Sequence, residues 1–126
     1  MNDINRIPKF RVFDKERKQM IYEGNSSIFD RMEDGSNVYA LMQFTGLLDK
    51  NGKEIYEGDI VKKFDEEIEE LNDIVVVDSI MTAINKLGEY PVGYTQIGIN
   101  GKPRITSWIK VIGNIYENPG MKYEGR

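Results

Sequence analysis

The chain has 126 residues, 40% of them apolar and 30% charged, with a formal charge of −4. That length suits one domain that buries about two-thirds of its surface without covalent staples. Cysteine and histidine are both absent, which excludes disulfides, zinc, haem or iron–sulfur sites built by this chain alone, and any catalytic triad or dyad that runs through histidine.

The N-terminal residues lack the apolar core of a signal peptide, and no run approaches 18 apolar residues. A cytoplasmic protein with no membrane partner is expected. Lys9-Phe10-Arg11-Val12-Phe13-Asp14 alternates charged and apolar residues, the pattern of a half-buried strand. A polar turn over 14–19 leads to Met20-Ile21-Tyr22, so residues 9–22 read as a hairpin. Residues 23–37 are rich in Gly, Asn, Ser and Asp and read as a loop with an ordered stretch around Ile28 and Phe29.

Val38 to Phe44 is a strand by its aromatic and β-branched content. Asn51-Gly52 marks a hairpin turn, with Glu54-Ile55-Tyr56 returning. Glu57-Gly58-Asp59 breaks that strand before Ile60–Phe64, and a Gly-Asp step there suits a bulge or sharp bend. Asp65-Glu66-Glu67-Ile68-Glu69-Glu70 reads as a solvated amphipathic turn. Asp73–Val77 is a buried strand. Ser79 caps an expected helix whose apolar face is Ile80, Ala83, Ile84 and Leu87, ended by Gly88. Alternation over 92–99 and a turn at Asn100-Gly101-Lys102-Pro103 precede a last long strand, Ile105–Ile112. Residues 65–99 hold eight acidic residues against Lys86 alone, so the excess negative charge is local.

Three blocks together resemble the YopX family of bacteriophage and prophage proteins. They are Lys9–Asp14 with Met20–Tyr22, the long run Met42–Val61, and Val111–Pro119. The resemblance implies a mainly β (β-rich α+β) fold: a small YopX-like barrel of short, mostly antiparallel strands with a helical insertion in the middle. It implies a single domain over 1–126 carrying a variable acidic insertion at 65–104, and an origin in a phage or prophage of a Gram-positive bacterium. It brings no reaction, no catalytic residue and no cofactor.

Turn chemistry accounts for Gly46, Gly52, Gly58, Gly113, Asp49 and Asn51, and Leu47, Ile55, Ile60, Val61, Ile112 and Ile115 are core candidates. The remaining signature positions, Gln43, Thr45, Tyr56, Glu57, Asp59, Asn114, Tyr116, Glu117 and Asn118, are the candidate binding residues, with the hydroxyls of Tyr56 and Tyr116 expected to be exposed. The leading expectation is a non-enzymatic accessory protein that binds a host or phage protein or assembles into a homo-oligomer through exposed strand edges. A nucleic-acid-binding barrel is the alternative, with Lys50, Lys53, Lys62, Lys63 and Lys110 as phosphate contacts and tyrosines or Trp108 as stacking partners. A third reading gathers Glu57, Asp59 and Glu117 around magnesium or manganese for hydrolysis. Asp49-Lys50-Asn51-Gly52-Lys53 fails as a calcium loop because lysine holds its fifth position and glycine comes two positions early.

Overall fold

The structure, a computed structural model, describes residues 9–22, 24–33, 35, 37–63, 73–79, 82, 104–106 and 108–121. Strand β1 (Phe10–Asp14) and β2 (Gln19–Ile21) form the expected antiparallel hairpin. Asp14 closes its turn by accepting the N–H groups of Glu16 and Arg17 on one carboxylate oxygen, both at 3.0 Å. Contrary to the half-buried expectation, β1 is buried on both faces from Arg11 to Asp14.

One cover of β1 is α1 (Asn25–Met32), in a stretch whose composition reads as a loop. Gly24 precedes it with no side-chain cap, so local chemistry does not drive this helix. Packing does: Ile28 is fully buried and the Phe29 ring meets Phe10 edge-on at 5.4 Å. Tertiary contact overrides turn propensity here.

β3 (Tyr39–Leu48) is the long strand of the fold. Its first half pairs antiparallel with β1, from Asp14↔Tyr39 to Phe10↔Gln43. A register shift between Phe44 and Leu47 then turns it toward β4 (Glu54–Tyr56), while β7 (Arg104–Ile105) joins its other edge in parallel. Gly46, at φ 87°, sits in that bulge. The Asn51-Gly52 turn forms as read, with Gly52 at φ 83°.

A second sheet has the order β6-β5-β8, with β5 (Asp59–Lys63) between β6 (Asp73–Val76) and β8 (Ile109–Asn114), both antiparallel to it. Leu47, Ile55, Val61, Val77, Ile109 and Val111 pack into one core that joins the two sheets. Phe13, Ala40 and Met42 form a second, against Met20 and Tyr116. The result is a strand-rich half-barrel, mainly β as expected.

The last long strand expected over 105–112 is two strands. Thr106 donates from both its backbone N–H (2.8 Å) and its hydroxyl (2.7 Å) to Leu48 O, which breaks the run and sends its parts to different sheets. Of the central helix, Ser79 and Thr82 are described: Thr82 N–H donates to Ser79 Oγ at 3.3 Å, the bond of a capping serine. The acidic run at 65–70, the remainder of the 79–87 helix, the alternation at 92–99 and the turn at 100–103 lie outside the described residues. Among the described residues, no helix is long and apolar enough to cross a membrane.

Candidate functional site

Three signature positions, Tyr56 at the end of β4, Glu57 in the bend and Asp59 at the start of β5, converge on a residue that lies outside the candidate list, Arg11. Alternation along β1 puts Arg11 on the same face as Phe13, toward the interior. Its Nη2 donates to Asp59 Oδ1 at 2.8 Å and to the Glu57 carbonyl at 3.3 Å, and Nη1 donates to the Tyr22 hydroxyl at 3.3 Å. The guanidinium lies 4.6 Å from the centre of the Tyr56 ring, within cation–π range. Asp59 Oδ2 accepts the Tyr56 N–H at 2.7 Å. Both charged side chains are 2% exposed. Among the described residues, Arg11 Nε has no hydrogen-bond partner.

Burial raises the Asp59 carboxyl above its ordinary pKa, and it outweighs the opposing pull of Arg11, the Tyr56 N–H and Lys53. The Tyr56 phenol is also pushed up, by burial and then by the Glu54 carboxylate, which accepts its hydroxyl at 3.1 Å. The expectation that the Tyr56 hydroxyl is exposed is therefore wrong: the residue is 1% exposed and its ring is a wall of the arginine site.

The neighbouring signature residues maintain the backbone. Glu57 Oε1 accepts the Gln43 N–H at 2.8 Å, and Glu57 N–H donates to Gln43 O at 2.9 Å. Thr45 repairs the β3 bulge: its hydroxyl donates to Ile55 O at 2.7 Å and accepts the Leu47 N–H at 3.1 Å. Without that hydroxyl, two backbone groups in a buried bulge would lack these partners. Gly58, at φ 91°, closes the bend before β5, and a side chain there would meet Met42 Sδ at 2.9 Å.

The C-terminal signature residues form a turn beside this cluster. Asp59 pairs in register with Asn114, and Ile115 N–H donates to Gly58 O at 2.9 Å. Asn114 Oδ1 accepts the N–H groups of Tyr116 (3.0 Å) and Glu117 (2.9 Å), and its amide donates to Glu117 Oε1 at 2.7 Å. Asn118 Oδ1 accepts the Asn114 N–H at 3.2 Å and lies where a side chain on Gly113 would project. Tyr116, half-buried, stacks on Phe13 with ring centres 5.3 Å apart. Asp49 joins a further pair of elements: one carboxylate oxygen caps its own turn through Asn51 and Lys53, and the other accepts the Val111 N–H at 3.0 Å.

The two blocks thus meet, as the metal reading requires, yet their carboxylates do not gather. Asp59 faces Arg11, Glu57 faces the Gln43 amide and Glu117 faces Asn114. Among the described residues, no group of three or more acidic side chains is placed to hold a metal ion. Of the lysines, Lys62 and Lys110 are direct cross-strand partners, Lys63 pairs with Ile109, and Lys50 N–H donates to Ile109 O at 2.8 Å. Lys53 closes the same turn as Lys50, where its N–H donates to Asp49 Oδ1 at 2.9 Å.

Sequence reasoning missed Arg11 and Tyr22. A signal for Arg11 was present: it shares a strand face with Phe13, so a charged residue stood in line with an aromatic core position.

A family model described as YopX protein matches residues 9–121, a span that takes in all three blocks and the stretches between them. No curated protein matches the chain. Among solved structures, the chain is similar to protein EF1440 from Enterococcus faecalis, at 23% identity and a TM-score of 0.48, over 92% of this chain and 98% of that one.

Proposed function

From the premise that this chain belongs to the YopX protein family, we propose that it is a non-enzymatic phage or prophage accessory protein that acts in the host cytoplasm by self-assembly or by binding another protein. One observation carries this reading. The polar signature groups of Thr45, Glu57, Asp59, Asn114 and Asn118 are each engaged in bonds that hold a bulge, a bend or a turn. A signature of this kind specifies a frame, and the work of such a frame falls to its surfaces and edges. Light scattering after size exclusion, at low and high salt, tests the reading. A discrete mass of several subunits, unchanged by added oligonucleotides, is the expected result; a strict monomer that binds no protein partner overturns it.

A second reading, nucleic-acid binding, is favoured by the register that sets Lys62 opposite Lys110. Direct cross-strand partners lie on one face of the sheet, so this register sets two cationic side chains side by side, and neighbouring lysines are suited to contact successive phosphates. This reading requires oligonucleotide binding that weakens steeply with salt. No binding at low ionic strength overturns it.

A further inference from the structure

The first half of β3 has an edge with no described partner. Phe44 N–H donates to Lys9 O at 2.7 Å and Lys15 N–H donates to Val38 O at 2.9 Å. These bonds bracket the β1–β3 ladder and fix its phase. Val38, Ala40, Met42 and Phe44 direct their backbone groups toward β1, so Tyr39, Leu41 and Gln43 direct theirs away from it. Gln43 bears this out, because both its N–H and its carbonyl meet Glu57. Pairing with β4 begins only at Phe44. Among the described residues, nothing bonds the outward N–H and C=O groups of Tyr39 and Leu41.

Strand edges are normally protected by charge, proline or a bulge. Residues 37–43 read Asn-Val-Tyr-Ala-Leu-Met-Gln, with no charge and no proline, and the bulge lies beyond them. Leu41 is 38% exposed.

We propose that this edge pairs antiparallel with the same edge of a second copy of the chain, with the two-fold axis at Ala40. The inference rests on the self-assembly reading above and supplies its surface. Tyr39 of one copy then lies opposite Leu41 of the other, and the outward groups of the two residues complete four N–H···O bonds across the axis. An isologous contact requires a self-complementary patch. An uncharged segment satisfies this condition, since no like charges meet when it faces itself. The contact also covers the exposed Leu41.

The test uses the full chain. Sedimentation over a range of concentrations is expected to show dimerisation that Leu41→Lys weakens by about tenfold or more, since a lysine on an edge opposes pairing. In the unaltered protein, hydrogen exchange at the Tyr39 and Leu41 amides is expected to slow as concentration rises, while the Gln43 amide, already bonded to Glu57, does not respond. This second readout decides the matter if the variant fails to fold. An oligomer indifferent to Leu41→Lys, with Tyr39 and Leu41 amides that exchange at a constant rate, overturns this surface and leaves self-assembly standing. A monomer at every concentration overturns both.

Discussion

Two ion pairs leave the same stretch of chain two residues apart. Lys9 reaches Glu54 at 2.6 Å and Arg11 reaches Asp59 at 2.8 Å. Their lengths are nearly equal, but their surroundings are not: the first pair is 55% and 34% exposed, the second 2% and 2%. In water the attraction is screened and side-chain ordering offsets much of it. In the interior both charges have lost their hydration, so each depends on the other and on the dipoles around it. Geometry alone would rank the pairs alike, whereas burial makes one a surface contact and the other the centre of the fold.

The sharpest way to break this comparison is to strand the buried carboxylate. Arg11→Met keeps an apolar stem of similar length and leaves Asp59 without its cation. The expected cost is about 3–5 kcal/mol, read as a large fall in the urea midpoint. Adding Asp59→Leu to that variant should recover part of the loss, because two apolar residues do not need each other as two buried charges do, while the Tyr56 N–H loses its acceptor. If Arg11→Met costs no more than a surface substitution, burial does not set this pair apart from the exposed one.

A smaller effect follows from the bulge in β3. Thr45→Val keeps the shape and removes the hydroxyl that serves Ile55 O and Leu47 N–H. Leaving buried backbone groups unserved costs about 1–3 kcal/mol. Thr45→Ser should restore most of it, which separates the hydrogen bonds from the packing of the methyl group.

The acid side of the stability profile sharpens the comparison further. Burial holds the Asp59 carboxyl above its ordinary pKa, so the folded state binds its proton more tightly than the unfolded chain does. The contribution of this group is then fully present below the ordinary value, falls as pH rises through the raised folded value, and is flat beyond it. Asp59→Asn cannot titrate. The stability gap between the unaltered protein and Asp59→Asn should therefore narrow as pH rises through that window. A gap that widens instead would mean that Arg11 outweighs burial.

These variants also mark how far the sequence could be read. Hairpin 9–22, the Asn51-Gly52 turn, the bend at Gly58 and the identity of β3 to β6 follow from alternation and turn chemistry, which act over a few residues. α1 does not, because its reason for being helical is Ile28 and Phe29 packing on a strand that precedes it in the chain. The break at Thr106 depends on a carbonyl 58 residues away. The signature pointed to Asp59 and Thr45, and to their turns, but not to Arg11, whose strand face is mixed in sequence: Phe13 marks it as interior and Lys9 as solvent-facing. What distinguishes it is the cover on both sides of β1, which no local window contains.

The smallest expected effect belongs to the outer pair. Lys9→Met removes one charge from a 2.6 Å contact and a cation 5.8 Å from the centre of the Phe44 ring. Glu54 keeps the Tyr56 hydroxyl as a donor, so its carboxylate is not left bare. The loss should stay below about 1 kcal/mol and shrink further in salt, as exposed pairs do. Equilibrium unfolding of Lys9→Met at low and high ionic strength checks both parts. A salt-independent loss comparable to that of Arg11→Met would mean that the exposed pair shares the burial of its neighbour, and the distinction between the two would fail at its outer member.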